Sequence, residues 1–482
     1  MTKKQGQNPR KDTSTHSVSE LYPLQTRDIL CICIALAMVA LAAILPTAPG
    51  LTHDGQVMLG ILAMAVILWV TTPIPIAVTA LLIMVMQPVL GVLPAGEVFR
   101  SFGNKAVLFL IGAFILASGI ERHGLHRRIA LYFLRAFEQS PRMFTLGIML
   151  SSAMLSFIMP EHGVAALFLP IVTTILVAMR VIPGESNFGK VSMLCIAYGC
   201  SIGSLGTPIG GARNPLTIGF LSDAGISISF FDWMSYSMPV VVCSLPLVWL
   251  ILYAAFPPEI DDISSARKAI DEQVQEMGSL GLQEGKVACV LVITVILWMF
   301  FSEGVGLAVI ALLGGILLFI TGSISWEDVD KRVPWGVVLL YGGAITLGVG
   351  MQKTGVAMAL ADGILRAVGG SYLLLILVLI VVTIYLTEFM SNTAAVALLL
   401  PIGVAIASEI PGISPLLSSM TIALSGGLAF MLVIATPGNA ITYSAGYFST
   451  RDLLRSGAAA NIVCIGVVFA IAILYWKGVL GL

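Results

Sequence analysis

The sequence predicts an all-α membrane protein with about eleven transmembrane helices and two re-entrant hairpins, arranged as two inverted repeats. Three observations predict this fold class. Hydrophobic residues make up 58% of the 482 residues and charged residues 11%, whereas soluble domains carry about 25% charged residues. Apolar runs near the roughly 20 residues that cross a bilayer as a helix recur along the chain. Two blocks of sequence also match each other at one common spacing.

Charge and cysteine content exclude other classes of protein. The formal net charge is −1, so the sequence gives no sign of nucleic-acid binding. The seven cysteines are scattered through apolar segments, without the spacing of a metal site or a disulfide framework. We therefore expect no enzymatic cofactor and no nucleic-acid partner, and the lipid bilayer as the solvent for most of the chain.

The first 26 residues are polar and contain Lys3, Lys4, Arg10 and Lys11. This lead is too long and too polar for an ordinary cleaved signal peptide. We expect a cytoplasmic tail that precedes an uncleaved first helix.

The remaining chain is expected to hold a first helix with repeat 1 (27–256), a charged cytoplasmic loop (257–285) and repeat 2 (286–482). Eleven apolar stretches predict crossings: 27–46, 54–71, 73–93, 104–121, 188–222, 236–256, 286–302, 304–322, 334–352, 414–448 and 456–478. The stretches 188–222 and 414–448 contain turn residues and predict broken helices. Two further stretches, 141–178 and 371–408, are interrupted by polar residues and predict hairpins.

Basic residues predict the orientation, because loops rich in Lys and Arg stay in the cytoplasm. They cluster in the tail, at 123–135, at Arg180 and Lys190, and at Arg451 and Arg455. This topology brings all of them to one side. We therefore expect a multi-pass protein of the cell (inner) membrane, with a cytoplasmic N-terminus and a C-terminus outside.

The internal repeat appears when the sequence is shifted by 231 residues. Leu108–Gly124 then aligns with Leu339–Gly355, and Leu155–Ile171 aligns with Leu386–Ile402. Matched glycines and a matched proline argue against chance similarity of apolar segments. Five crossings separate the first pair of blocks, so the two copies have opposite orientation. Inverted repeats with helices broken at corresponding places are typical of secondary transporters.

Polar residues at the interruptions predict the site, since unpaired backbone at membrane depth survives where it lines a cavity or is buried in protein. Thr387–Thr393 forms the turn of the second hairpin, and Ala435–Ala440 breaks the following span. Ser, Asn and Thr are N-cap residues. A helix that begins at such a turn directs free N–H groups and the positive end of its dipole toward an anion.

Ser391-Asn392-Thr393, with Leu400-Pro401-Ile402 after it, resembles the Ser-Asn-Thr signature of the divalent anion/sodium symporter (DASS) family. Ala435–Ala440 resembles the second broken-helix motif of that family, and Gly124–Arg128 resembles its interfacial helix. The resemblance covers roughly residues 27–478. It implies a homodimeric, elevator-type transporter with a scaffold domain and a moving transport domain.

The resemblance also implies the cargo and the residues that hold it. Substrates would be small dianions, first of all the C4-dicarboxylates succinate, malate and fumarate, with citrate and sulfate as alternatives; Na⁺ would be the coupling ion. The implied substrate-binding residues are Glu161, His162, Asn214, Ser391, Asn392, Thr393, Thr436, Pro437, Gly438 and Asn439. The implied sodium ligands are Thr387, Ser391, Asn392 and Ala435, with Ser156 as a further candidate at the position equivalent to Thr387.

The first half departs from the family pattern. Pro160-Glu161-His162 stands where the first Ser-Asn-Thr is expected, and Gly211-Ala212-Arg213-Asn214 where Thr-Pro-Pro-Asn is usual. In one reading Arg213 is an internal cation that replaces a sodium ion while His162 faces the substrate, which leaves coupling to one sodium or anion exchange. In a second, Glu161 or His162 carries a proton. In a third, Glu161 and Arg213 form an ion pair that holds the hairpin to the broken helix.

Two other classes of function are alternatives to a dianion transporter. A proton-coupled or efflux transporter of a related two-repeat kind would also explain the breaks. An intramembrane enzyme would need a nucleophile–base pair or a metal cluster. Glu161-His162 supplies neither, because no other His, Cys or Asp lies near it in the sequence. We expect a transporter and not an enzyme.

Overall fold

The computed structural model describes residues 25–48, 50–369, 371–409 and 413–482. Residues 1–24 of the expected polar tail lie outside the described residues. Within the described ranges every regular element is helical, and nine helices are long and apolar enough to cross a membrane. Shorter apolar helices accompany them. The prediction of an all-α, multi-pass membrane protein is confirmed.

Twelve α-helices lie in the described part of the first 277 residues, with one short 3-10 helix at Ser101–Gly103. They are α1 (Thr26–Ile44), α2 (His53–Thr71), α3 (Ile76–Val89), α4 (Ala95–Arg100), α5 (Lys105–Arg122), α6 (Leu125–Arg135), α7 (Pro141–Leu155), α8 (Glu161–Ala178), α9 (Asn187–Gly203), α10 (Arg213–Asp223), α11 (Phe230–Ala255) and α12 (Ser264–Met277).

Ten helices follow. They are α13 (Leu282–Val305), α14 (Leu307–Ile320), α15 (Trp326–Arg332), α16 (Trp335–Lys353), α17 (Val356–Val368), α18 (Tyr372–Phe389), α19 (Asn392–Glu409), α20 (Pro415–Ser425), α21 (Pro437–Tyr443) and α22 (Thr450–Ala470), which continues as a π-helical segment (Ile471–Lys477).

The ten helices α2 to α11 correspond, one by one along the sequence, to the ten helices α13 to α22. The helices α3 and α14 begin at residues 76 and 307, and α4 and α15 begin at 95 and 326, each pair 231 residues apart. Glycines with positive φ recur at the same spacing: Gly91 (76°) with Gly322 (65°), and Gly124 (72°) with Gly355 (75°). The repeat thus extends to helices outside the two matching sequence blocks.

Each half of the chain packs a helix against a helix of the other half. Gly112 of α5 lies against Ala311 of α14, and Gly343 of α16 lies against Ala80 of α3. A β-carbon at Gly112 would come within 2.5 Å of the Ala311 carbonyl carbon, and one at Gly343 within 2.6 Å of the Ala80 β-carbon. Glycine therefore lets these backbones approach closely, as small residues do in membrane helix pairs.

The segment expected as a charged loop, 257–285, contains a helix. α12 buries Ala266, Ala269 and Ile270 against the bundle, and it packs on α6 and α8. These positions follow the three- and four-residue spacing of an amphipathic helix. Charge alone suggested a loop, but the apolar stripe gives the segment a face to bury.

Two helices begin six residues earlier than their apolar stretches predicted, α11 at residue 230 and α22 at 450 instead of 236 and 456. In each, the serine before the helix (Ser229 or Ser449) accepts a hydrogen bond of 3.1 Å from the N–H of an aspartate three residues later. The aspartate returns the bond, which forms a capping box. The cap allows a polar first turn that a hydropathy pattern leaves out.

Candidate functional site

Both hairpins turn inside the helical bundle. The first turn, 156–160, joins α7 to α8, and the second, 390–391, joins α18 to α19. Ser391 caps the second tip, because its hydroxyl accepts a hydrogen bond of 3.3 Å from the N–H of Ala394. At the first tip Pro160 is the N-cap residue and provides no side-chain acceptor. The two tips therefore present different chemistry to the space between them.

Both broken helices are bridged by an asparagine in the same way. Asn214 donates from its amide to the carbonyl oxygens of Ser204 (2.8 Å) and Thr207 (2.7 Å). Asn439 donates to the corresponding carbonyls, those of Leu432 (2.9 Å) and of residue 429 (3.4 Å). Each amide thus satisfies carbonyls that the interrupted helix leaves unpaired.

One cavity of about 500 Å³ brings the two tips and the two breaks together. The expected site residues that line it are Glu161, His162, Arg213, Ser391, Asn392, Thr393, Ala435, Thr436 and Pro437. Most of the remaining lining is apolar and comes from α2 and α5, with Trp69, Phe109 and Phe114 among its residues, and α16 contributes Val337.

Five of the expected site residues are placed outside this lining. Asn214, Gly438 and Asn439 are buried in or beside the breaks, where the two asparagines bridge backbone groups. Ser156 and Thr387 are fully buried in the hairpins that carry the tips. The structure thus separates residues that face the cavity from residues that shape its walls.

Asn392 is the most exceptional polar side chain at the second tip. It is 8% exposed, and neither its amide nitrogen nor its oxygen has a hydrogen-bond partner in the described part of the chain. Nearly all buried polar atoms in proteins are paired. Hard cations bind carbonyl and hydroxyl oxygens, and the neighbouring residues Ser391 and Thr436 also line the cavity. The second tip could therefore bind a ligand or a cation that pairs with the amide nitrogen or oxygen of Asn392.

Arg213 lies between the two breaks. It is 2% exposed, and its Nη2 donates to the Ser204 hydroxyl at 2.7 Å. That hydroxyl also lies 3.5 Å from Oε2 of Glu161. On its other side the guanidinium fills the space over Gly427, where a β-carbon would overlap it.

Among the described residues no direct ion pair joins Arg213 to Glu161; the Ser204 hydroxyl connects them instead. Nε of Arg213 has no partner within the described ranges. Sequence reasoning did not single out Ser204, which is one of several serines in its segment, or Gly427, which has no polar side chain. Their position in the broken helices is the one sequence feature that could have indicated them.

Sequence reasoning also missed how the second break is held. Glu388 is 1% exposed and accepts hydrogen bonds from three consecutive N–H groups, those of Phe430 (2.8 Å), Met431 (3.0 Å) and Leu432 (3.0 Å). Asn461 of α22 donates to the same carboxylate at 2.8 Å. A break needs acceptors for its free N–H groups, but the sequence does not show which distant side chain supplies them.

Comparisons with known proteins agree with these features. Residues 26–482 match the family model described as the sodium:sulfate symporter transmembrane region. The chain is 30% identical to the sodium-dependent dicarboxylate transporter SdcS of Staphylococcus saprophyticus, over 98% of this chain and 94% of that protein. It is also 30% identical to SdcS of Staphylococcus aureus strain USA300, over 86% of this chain and 84% of that protein.

Two solved structures share the fold at low sequence identity. One is MtrF of Neisseria gonorrhoeae, titled as illuminating a class of antimetabolite efflux pumps, with a TM-score of 0.54 and 13% identity over 95% of this chain and 96% of that one. The other is the YdaH transporter of Alcanivorax borkumensis, with a TM-score of 0.54 and 12% identity over 94% and 99%. The matched family and these relatives are transporters and not enzymes, as expected, and the chain belongs to the sodium:sulfate symporter family, which is the divalent anion/sodium symporter family that its motifs resemble.

Proposed function

We propose that this protein is a secondary active transporter of small divalent anions, with C4-dicarboxylates such as succinate, malate and fumarate as substrates and Na⁺ as coupling ion. The observation that carries the proposal is the single cavity into which Ser391, Asn392 and Thr393 project beside Thr436 and the first tip. The sodium-dependent dicarboxylate transporters at 30% identity support both the substrate class and the ion.

The two tips divide the substrate between them. One carboxylate lies at the start of α19, where backbone N–H groups, the helix dipole and the hydroxyls of Ser391 and Thr393 bind negative charge. The other carboxylate lies at the start of α8, beside His162. The apolar wall packs against the hydrocarbon between them.

Sodium is cargo at the second tip. The unpartnered Asn392 amide oxygen, the Ser391 hydroxyl, and the backbone near Ala435 supply neutral oxygen ligands there, with Thr387 at the base of the tip. At the first tip the buried Arg213 takes the place of a second sodium as a fixed positive charge. Because the guanidinium is always charged, this tip needs no ion from solution. Each substrate is therefore accompanied by fewer sodium ions than in a transporter that binds sodium at both tips.

Transport proceeds as an elevator within a homodimer of inverted repeats. The hairpins and broken helices, α7–α10 and α18–α21, move as one body against a scaffold that includes α2, α5 and α16. The N-terminus is cytoplasmic and the C-terminus is outside. In support, Lys190 at the start of α9 pairs with Asp452 at the start of α22 at 3.5 Å, which brings the basic ends of these helices to one face.

Counterflow in liposomes tests the proposal. Purified protein is reconstituted into vesicles loaded with unlabelled succinate, and entry of labelled succinate is measured with Na⁺ or K⁺ outside at two pH values. We expect sodium-dependent uptake that malate and fumarate compete away. Absence of counterflow for dicarboxylates, citrate and sulfate alike would contradict the proposal.

A matched pair of variants tests the site. Asn392→Ala should lower uptake by about tenfold or more, since it removes an amide whose bonds to charged ligands are each worth about 1.5–3 kcal/mol. Asn187→Ala is the control, because Asn187 lies at the start of α9 and donates one hydrogen bond, to the Pro257 carbonyl (3.1 Å). Equal uptake by the two variants would remove Asn392 from the site.

One observation favours a second candidate, proton coupling. Glu161 lines the cavity and is 9% exposed as a residue, and a carboxylate at such a place can carry a proton across the membrane. The same vesicles distinguish the two mechanisms. Uptake driven by an inward pH gradient without Na⁺, and lost in Glu161→Gln, would replace sodium coupling by proton coupling.

A further inference from the structure

A carboxylate at the end of α5 contacts the first turn of α8, at the side that the proposed orientation places in the cytoplasm. A β-carbon at Gly163, the third residue of α8, would come within 3.0 Å of Oε1 of Glu121. The second oxygen, Oε2, lies 3.9 Å from Nη1 of Arg332 in α15. Glu121 is thus held by α15 on one side and faces the first hairpin on the other.

Glu121 lies one helical turn beyond the cavity. Ala113 and Ala117 of α5 line the cavity, and Glu121 follows Ala117 by four residues, which places all three on one face of the helix. The side chain of Glu121 is 29% exposed. A substrate carboxylate at the start of α8 and the Glu121 carboxylate would therefore approach the same helix end from two sides.

The start of α8 attracts negative charge. A helix N-terminus carries about half a positive charge, and its N-cap residue Pro160 provides no side-chain acceptor. Glu161 in this turn is directed toward the Ser204 hydroxyl, which also binds Arg213. In the empty protein Glu121 is a further negative group beside this end. A substrate carboxylate bound there would repel it, because both are negative.

The corresponding pair in the second half is Gln352 and Ala394, which is uncharged. Gly348, one turn before Gln352, lies level with Pro401 of α19, where a β-carbon would come within 3.1 Å of the proline Cγ. Pro401 is seven residues past Ala394, about 10 Å of helix. The two members of this pair are therefore far apart, whereas their counterparts in the first half are in contact. The closed contact is also the charged one.

We propose that Glu121 senses whether the site is occupied: its carboxylate holds the empty first hairpin against α5, and a bound dianion repels that carboxylate and releases the hairpin. This inference rests on the proposed function and adds a regulation of the same site. The empty protein then returns across the membrane slowly, while the occupied protein moves without this restraint. The consequence is a preference for exchange of one dianion for another over net uptake.

Two rates of succinate entry into liposomes, measured under the same inward Na⁺ gradient, test the inference. Vesicles loaded with unlabelled succinate report exchange, in which the site stays occupied. Vesicles without internal succinate report net uptake, in which the empty protein must return. For the unaltered protein we expect exchange to be the faster of the two. No entry into either kind of vesicle would contradict the proposed function itself and not merely the role of Glu121.

Three variants separate the charge of Glu121 from its shape and from general surface charge. Glu121→Gln should raise the ratio of net uptake to exchange about threefold or more, the order expected for a charge at a helix end. Gly163→Ala should act in the same direction, because its β-carbon displaces the carboxylate. Glu327→Gln is the control and should leave the ratio unchanged, since the side chain of Glu327 in α15 is 74% exposed and pairs with Lys331.

Three results would overturn the assignment. The first is an unchanged ratio in Glu121→Gln. The second is a fall of both rates in equal proportion, which would show that Glu121 supports the fold and does not respond to the substrate. The third is an equal rise of the ratio in Glu327→Gln. If Glu121→Gln does not fold, Gly163→Ala decides: a folded variant with the unaltered ratio would refute the role of the contact.

Discussion

The connection between Arg213, Ser204 and Glu161 makes a quantitative prediction for a double-mutant cycle. Arg213→Met removes the charge but keeps an apolar stem, and it leaves the carboxylate of the buried Glu161 without its cation. Removal of one partner of a buried charge pair costs about 3–5 kcal/mol. The Ser204 hydroxyl lies between the charges, 2.7 Å from Nη2 of Arg213 and 3.5 Å from Oε2 of Glu161. Because the charges are not in direct contact, we expect a loss of stability at the lower end of this range, about 3 kcal/mol.

Glu161→Gln in the same protein should restore part of that loss, because the uncompensated charge is gone. We expect the double variant to be more stable than Arg213→Met by about 1.5 kcal/mol or more, within the usual range of coupling energies. Denaturant unfolding in micelles, followed by tryptophan fluorescence, measures all four proteins. Transport should stay lost in the double variant, because a restored fold does not restore the fixed cation.

Two outcomes would refute this reasoning. Strictly additive effects of the two substitutions on the free energy of unfolding would show that the Ser204 hydroxyl does not couple the charges. Counterflow at the unaltered rate in a folded double variant would show that the guanidinium has no part in transport. The control is Ser204→Ala, which keeps both charges and should lie between the unaltered protein and Arg213→Met in stability.

Three further predictions concern packing and the ends of helices. Gly427→Ala should destabilise by about 1–3 kcal/mol through overpacking in a thermal unfolding assay, since its β-carbon overlaps Arg213. Burial raises the pKa of Asp328, but the hydrogen bonds of its capping box and the Arg122 charge outweigh burial and hold that pKa below its usual value. Asp328→Asn should therefore cost about 1 kcal/mol at neutral pH, a difference that closes as pH falls through the folded-state pKa. Arg128→Ala removes donors to the carbonyls of 277–279 and should speed tryptic cleavage in α12.

Each of these predictions has its own control. The effect of Gly427→Ala should largely vanish in an Arg213→Met background, and a persistent loss there would point to backbone strain. For Asp328 the stability difference must shrink on acidification, because a depressed pKa stabilises only above the range in which the folded carboxylate takes up its proton. The control for Arg128→Ala is Arg127→Ala, on the exposed side of α6, which should leave the rate of tryptic cleavage unchanged. Equally fast cleavage in both variants would refute the role of Arg128 in holding α12.

Much of the fold could be predicted because lipid simplifies the pattern. Apolar stretches of membrane-crossing length must be helical to satisfy their backbone, so the spans and the polar islands at 160–162 and 391–393 are visible in the sequence. Helix starts were harder to predict. Ser229 and Ser449 cap polar turns that lie outside the apolar stretches.

The partners of the breaks could not be predicted. Lipid tails are as apolar as leucine, so hydrophobic pattern does not say which faces of two membrane helices meet. Asn461 is a polar residue in the apolar part of α22, and nothing near it in sequence indicates Glu388. Ser204 is likewise one of several serines in its segment. Only the relative placement of helices gives these residues their roles.

The exchange of glycine contacts between α5 and α14 and between α16 and α3 has a consequence for biosynthesis. During translation α3 leaves the ribosome long before Gly343, the residue against which Ala80 lies. Each half of the nascent chain thus carries a surface that the other half covers in the folded protein. Chains that lack their second half would expose Ala80 and its neighbours to stray helices, a situation that favours misassembly. A split version of this protein should accordingly regain a stable fold only when both fragments are expressed in the same membrane.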